Sequence, residues 1–269
     1  MIKKAALNNY EKDLINSKSL KEIIPYFAGK KIHYFLRTNS TQDTAKGLAD
    51  TGEKEGTVVL AERQSYGRGR FSRNWFSPRG GLWFSIILYP KISPEKNLQF
   101  SLITAISLCE TLGKMFNIKP LIKWPNDIIY NEKKLGGILV ESALISNRVK
   151  WTIIGAGLNV NNVLSAGIRK KAVSLKSILR YRINRTKLLA EILKNYYFNY
   201  KIFKIKGFKY FRTKFQRYSF LNNKNIKVEE GGRIYSGVVK EIDENGFLWI
   251  RLKNKIIRKI LAGTILKYE

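Results

Sequence analysis

Two apolar runs, residues 57–61 and residues 82–89, constrain this chain more than any other feature. Runs of that length predict strands. Between them lies Gln64-Ser65-Tyr66-Gly67-Arg68-Gly69-Arg70-Phe71-Ser72-Arg73-Asn74-Trp75, a basic loop carried on a rigid frame. Glycine lets a backbone turn through positive φ and approach a ligand closely. Arginine keeps its charge at any working pH and offers forked donors to phosphate or carboxylate oxygens. Read alone, the loop is either an anion cradle or a solvated basic turn.

Composition narrows the classes. The chain has 269 residues, 44% of them hydrophobic, which suits one large domain or one domain with a small companion. No apolar run approaches the roughly 18–20 residues that span a bilayer, and the start Met1-Ile2-Lys3-Lys4 does not read as a signal peptide. One cysteine, Cys109, and one histidine, His33, argue against a zinc site of the His/Cys type. Cys109 falls in an apolar helical run and reads as a core thiol. A cytoplasmic protein is the expectation. The net charge of +30 favours acidic partners, nucleic acid or anionic surfaces, but the lysines are scattered over the whole chain.

Residues 8–27 alternate loosely as a helix, and residues 31–37 read as a strand. Ser40 with Asp43 three residues on starts a helix that runs to about residue 50; the free N–H groups there can also meet an anion. Residues 94–117 form a long helix, residues 121–123 a short strand, and Trp124-Pro125-Asn126-Asp127 a turn. Residues 128–130 and 135–140 pair as a hairpin joined at residues 131–134, with Gly136-Gly137 interrupting the second strand, as a bulge or a close ligand would require. Another strand covers 150–160. Its Gly155-Ala156-Gly157 is not a dinucleotide fingerprint, because no third glycine opens a helix. Residues 185–215 read as amphipathic helix whose aromatic stripe belongs to the core. Beyond Asn223, strands at 226–229, 233–242 and 247–252 with turns at 230–232 and 243–246 predict a small β-barrel.

Four of these motifs together resemble the biotin–protein ligases, also called biotin–[acetyl-CoA-carboxylase] ligases. The family's basic glycine loop is matched by Gly67 to Trp75, and its KWPND by Lys123-Trp124-Pro125-Asn126-Asp127. Lys134-Leu135-Gly136-Gly137-Ile138-Leu139-Val140-Glu141 matches its glycine-bearing strand, and Gly155 to Asn161 its GxGxNVN segment. The match extends over about residues 31–252, in order. Two departures stand out. Ser40-Thr41-Gln42 replaces the usual Ser-Thr-Asn, and Arg70-Phe71-Ser72-Arg73 replaces Arg-x-Gly-Arg, where serine adopts positive φ less easily than glycine.

The resemblance implies an α+β fold. A mixed-sheet catalytic domain over residues 1–219, similar to class II aminoacyl-tRNA synthetases, would be followed by an SH3-like barrel over residues 220–269. It implies that biotin is activated by ATP as biotinyl-5′-AMP, with Mg2+ assisting, and then passed to a lysine of a biotin carboxyl carrier protein. Arg68, Arg70 and Lys134 match the catalytic positions. Ser40, Thr41, Gln42, Gln64, Arg68, Gly69, Arg70, Lys134, Gly136 and Gly137 match biotin positions. Arg70, Arg73, Trp75, Lys123, Asn126 and Asn159 match ATP positions, and Asp127 is a candidate helper in the transfer. Shorter members are often dimers, so a homodimer is expected by analogy. The helix-turn-helix module of repressor-type ligases is not matched, so DNA binding is not expected. A lipoate ligase or octanoyltransferase of the same fold is the competing enzyme, and a basic nucleic-acid-binding protein is the competing class.

Overall fold

The computed structural model describes residues 14–23 and 31–269. The elements of its first part are α1 (Ser17–Ile23), β1 (Ile32–Phe35), α2 (Thr41–Asp50), β2 (Val58–Ala61), β3 (Leu82–Leu88), α3 (Asn97–Phe116), β4 (Leu121–Lys123), β5 (Asp127–Tyr130), β6 (Lys133–Ile145) and β7 (Arg148–Leu158). The seven strands form one sheet in the order β1-β2-β3-β7-β6-β5-β4, with β1 and β2 parallel and the other neighbours antiparallel. Most of the helical stretch expected over residues 8–27 lies outside the described residues; α1 is the part inside.

Strand alternation decides what lies on each face. Val58, Leu60, Leu82, Phe84, Ile86, Leu88, Ile154 and Leu158 point into the main core. There they meet α3 and the long helix α6 (Arg185–Lys206), which follows the short helices α4 (Ala166–Arg169) and α5 (Leu175–Leu179). Val59, Ile87, Trp151 and Ile153 point the other way, against Ala45 and Ala49 of α2. The sheet is therefore sandwiched, heavily covered on one side and, among the described residues, covered by a single helix of ten residues on the other. That lightly covered face carries the site.

Several boundaries differ from the sequence reading. The hairpin joint is the two-residue turn Asn131-Glu132 (φ 45° and 62°), so Lys133 and Lys134 already belong to β6. β6 runs on to Ile145 because β7 pairs with it along its length, through a second tight turn at Ser146-Asn147 (φ 46° and 63°). The single helix expected over residues 185–215 is broken at Gly207, whose φ of 66° ends α6 before a 3-10 turn (Phe208–Phe211) and α7 (Arg212–Tyr218).

The second sheet contains β8 (Asn225–Glu230), β9 (Arg233–Ile242), β10 (Leu248–Leu252), β11 (Ile257–Ile260) and β12 (Thr264–Tyr268), antiparallel in the order β11-β10-β9-β8-β12. The last two strands extend the small β unit beyond the three expected. This unit is bonded to the first: Trp124 Nε1 donates to the Gly246 carbonyl (3.0 Å), Gln99 Nε2 to that of Asn245 (3.2 Å) and Arg212 Nε to that of Ile242 (2.9 Å).

One interior ion pair escapes the motif reading. Arg185 and Glu62 have side chains 2% and 1% exposed, and Arg185 Nη2 donates to Glu62 Oε2 at 2.8 Å. Arg185 Nη1 donates to the Gly81 carbonyl (2.8 Å), while Glu62 Oε1 accepts from Tyr34 Oη (2.8 Å) and the Ile15 amide (2.9 Å). The pair thus joins α6, β1, the end of β2 and the segment before α1. Cys109 is fully buried in α3, and burial pushes its thiol far up.

Candidate active site

Beyond the N-terminus of α2, the lightly covered face presents Ser85, Gly137, Gly155 and Gly157 in place of large side chains. These positions floor a cavity of about 250 Å³. The loop between β2 and β3 covers it. That loop is a small hairpin of its own, in which Trp75 N donates to the Gly67 carbonyl (2.8 Å) and Gly69 N to that of Arg73 (2.7 Å). At its tip Phe71 and Ser72 both have φ of 55°. Ser72 therefore occupies the left-handed region in which the family uses glycine, at a cost on the order of 1 kcal/mol. Ser72→Gly is expected to favour the ordered tip and to lower the KM of the small-molecule substrate by a few-fold; an unchanged or higher KM would refute this.

One end of the cavity is polar but uncharged. Ser40 caps α2, its Oγ accepting from the Asp43 amide at 3.4 Å. Gln64 Oε1 accepts from the Thr41 amide (2.8 Å) and hydroxyl (3.1 Å), and Gln64 Nε2 donates to Ser77 Oγ (2.7 Å). Ser85, wholly buried, lies within hydrogen-bond reach of Thr41 Oγ1 (3.0 Å) and Gln42 Oε1 (3.1 Å). Gln42 also donates to the Ile153 carbonyl (3.3 Å). A Cβ on Gly155 would lie 2.5 Å from Gln42 Oε1, so this glycine makes room for the longer amide that stands in place of asparagine. Trp75 lies on the glycine floor, 2.6 Å from where a Gly157 Cβ would be, and its Nε1–H is buried without an acceptor.

The other end is cationic. Arg70, Arg73, Lys123 and Lys134 line it, with Asn126 and a single carboxylate, Asp127. Lys134 Nζ sits 2.7 Å from Asp127 Oδ1 and 4.9 Å from the centre of the Trp75 ring. Its backbone is fixed by the Lys171 carbonyl (2.9 Å) and the Val173 amide (3.0 Å). Arg70 Nη1 donates to Asn126 Oδ1 at 3.3 Å, and Asn126 is itself held by Nδ2 on the Ile138 carbonyl (2.9 Å). Burial pushes the Arg70 guanidinium down; Asp127 opposes this and Arg73 adds to it, yet arginine remains charged. Burial likewise lowers Lys123, which lies 4.8 Å over the Tyr268 ring, again against Asp127 and with Lys134.

Arg68 behaves differently. Its guanidinium turns to Asp43, on the first turn of α2, and to Glu141 Oε1 of β6 at 2.8 Å. Lys46 Nζ shares that carboxylate at 2.8 Å. Burial pushes Arg68 down, but Glu141 and Asp43 outweigh it and hold the guanidinium above its ordinary value. Burial pushes the Glu141 carboxyl up, and Lys46 leads the groups that bring it below the usual range.

Two positions matched by the resemblance are not brought to the cavity. Gly136 faces the opposite side of β6, where a Cβ would meet Leu158 Cδ1 at 3.0 Å. Asn159 lies past the end of β7, its Oδ1 accepting from Asn162 Nδ2 (3.0 Å) and its backbone bonded to Leu135 and Leu175. Conversely, the sequence reading gives no site role to Ser85, to Glu141, or to Thr264 and Ile265 of β12, which close one side of the cavity. Ser85 had a visible signal, as the one polar residue inside the apolar run Leu82–Leu88. Thr264 and Ile265 had none.

The model for the biotin/lipoate A/B protein ligase family matches residues 34–159, and that for the biotin protein ligase C-terminal domain matches residues 222–268. The bifunctional ligase/repressor BirA of Bacillus subtilis is 34% identical over 241 residues, covering 88% of this chain and 74% of that protein. The biotin–[acetyl-CoA-carboxylase] ligase of Paracoccus denitrificans is 35% identical over 133 residues, 49% of this chain and 55% of its own. A biotin protein ligase from Aquifex aeolicus, solved with biotin and ATP, superposes with a TM-score of 0.77 at 30% identity, covering 89% of this chain and 99% of that one. The chain belongs to the biotin protein ligase family.

Proposed function

We propose that the chain activates biotin with ATP as biotinyl-5′-AMP and transfers it to a lysine of a biotin carboxyl carrier domain. The convergence of Arg70, Arg73, Lys123 and Lys134 at one end of a cavity whose other end is polar and uncharged carries this reading. Attack of a carboxylate on the α-phosphate brings anion to anion, so fixed cations supply most of what the step needs. Lys134, pinned between Asp127 and Trp75, suits the meeting point of carboxylate and α-phosphate. Arg70 and Lys123 suit the remaining phosphate oxygens. The uncharged end, with Ser40, Thr41, Gln42 and Gln64, offers fixed donors and acceptors to a ureido ring, and Gly69 and Gly137 let the ring system lie close to the backbone. Trp75 offers a wall with a free N–H.

In the second step the carrier amine must reach the acyl carbon unprotonated; Asp127, the one carboxylate lining the cavity among the described residues, is the candidate to receive its proton. A magnesium ion would neutralise phosphate charge when bound. Among the described residues no cluster of three acidic, histidine or cysteine ligands exists, so the phosphates themselves would hold most of it, with Asp127 and Asn126 alongside. The +30 charge suits an acidic carrier partner. No helix of the described residues is long and apolar enough to cross a membrane. By analogy with the family, we propose a cytoplasmic enzyme that works as a homodimer.

The decisive assay is ATP–pyrophosphate exchange. Exchange is expected with biotin and not with lipoate, followed by transfer to a carrier-domain lysine. Exchange with lipoate alone would overturn the reading in favour of the sister enzymes, for which a dithiolane ring makes no use of the hydrogen-bonding end.

A further inference from the structure

The last strand of the barrel meets the catalytic domain in two ways, and only one of them is the cavity wall. Thr264 and Ile265 line the cavity, whereas Tyr268 is not among the lining residues. Tyr268 instead lies under the ammonium of Lys123, with Nζ 4.8 Å from the centre of its ring. Strand alternation would send residues 265 and 268, three apart, to opposite faces. In β12, however, Ile265 stands opposite Val228 and Tyr268 opposite Ile226, with the register shifting between Ile265 and Lys267. Leu266 is thus a residue without a counterpart, the extra position of a bulge, and it is exposed. Bulges re-aim the side chains beyond them and gather beside active sites. Ile226 and Val228 both point into the core, so Ile265 and Tyr268 face it together.

The ring is braced on both sides of the domain junction. Phe220 meets it edge-on, 4.9 Å between centres, and the Phe220 amide donates to the Ile122 carbonyl of β4 at 2.9 Å. Glu269, next in the chain, exchanges backbone hydrogen bonds with Asn225 (2.9 and 3.1 Å). Lys123 has no carboxylate within ion-pair distance among the described residues, and burial pushes its ammonium down. A cation drawn out of water without a counter-ion of its own gains from the negative face of an aromatic ring. We infer that Tyr268 is a positioning residue: its ring, turned inward by the bulge at Leu266, is the seat that holds Lys123 at the cationic end of the cavity. The barrel thereby sets the aim of a phosphate-binding cation that belongs to the catalytic domain. The inference deepens the proposed use of ATP and rests on it for its kinetic half. Because the ring face does the holding, phenylalanine serves there as well as tyrosine.

Tyr268→Phe and Tyr268→Leu test it, each in the wild-type chain and with Lys123→Met. In protein isotopically labelled at lysine Cε, the Lys123 NMR resonance, assigned by its loss in Lys123→Arg, is expected to be shifted upfield by the ring current. Tyr268→Phe keeps that shift and Tyr268→Leu loses it. In ATP–pyrophosphate exchange, Tyr268→Leu is expected to raise the KM for ATP by about three- to tenfold. The kcat and the KM for biotin stay nearly unchanged, and Tyr268→Phe restores the KM for ATP. In the Lys123→Met background Tyr268→Leu has no further effect, since the ring acts only through that ammonium. A resonance that keeps its shift in Tyr268→Leu overturns the seat. An unmoved KM for ATP, a phenylalanine variant as impaired as leucine, or an additive loss in the Lys123→Met background overturns the positioning role. Because the resonance needs no turnover, a failure of the seat is distinguishable from a failure of the assigned activity.

Discussion

Lys134→Ala is expected to lower biotin-dependent ATP–pyrophosphate exchange by roughly a hundred- to a thousandfold, the usual loss when a preorganised charge is removed from an acyl- or phosphoryl-transfer site. The argument is local. The ammonium is fixed by Asp127 at 2.7 Å and by the Trp75 ring, and its backbone is bonded on both sides, so the charge is in place before reaction. Arg70→Ala is expected to lose a similar factor, because Arg70 is a half-buried cation without a carboxylate partner of its own. Lys134→Arg should recover little. Its planar head is wider than an ammonium, and the space is bounded by Trp75 and by the backbone at Gly137, where a Cβ would already lie 3.3 Å from Lys134 Cε. Exchange that survives Lys134→Ala within a few-fold would remove this lysine from the reacting centre.

Arg185→Met is expected to destabilise the fold by roughly 3–5 kcal/mol, since it strands the Glu62 carboxylate in the interior without its cation. Urea titration with an unchanged slope would report this as an earlier midpoint. Adding Glu62→Gln to the same chain should recover much of the loss. The amide oxygen can still accept from Tyr34 and Ile15, but no charge remains buried. A midpoint in Arg185→Met equal to the wild type would mean that the pair contributes nothing. The exposed ion pairs around Arg68 are a different case, where each pair contributes at most about 1 kcal/mol.

Much of the site is written locally, and that part is legible. The two-strand frame around the basic loop, the Ser40 cap and the strand bearing Gly137 depend on neighbours within a few residues. What is not legible depends on pairing at a distance. Gly136 and Gly137 are adjacent in sequence, but strand alternation sends only Gly137 to the cavity, and the register with Leu158 and Gly157 decides which. Asn159 lies inside a motif yet is consumed by Asn162 once the chain turns. The ion pair of Arg185 and Glu62 joins residues 123 positions apart, and no local spacing announces it. Residues 142–149 carry no motif, because a strand continuing into a tight turn has only a partner.

The wall made by Thr264 and Ile265 has a consequence for the order in which the molecule is made. The cations of the cavity emerge from the ribosome first, the barrel strand that closes their side well after them. β12 takes its place only by pairing with β8, so the barrel too must be complete. A nascent chain halted before residue 264 therefore holds the charges that gather a nucleotide but not the full chamber that would shelter a reactive anhydride from water. Synthesis from the N-terminus thus delays a closed site until residues 264 and 265 have been read.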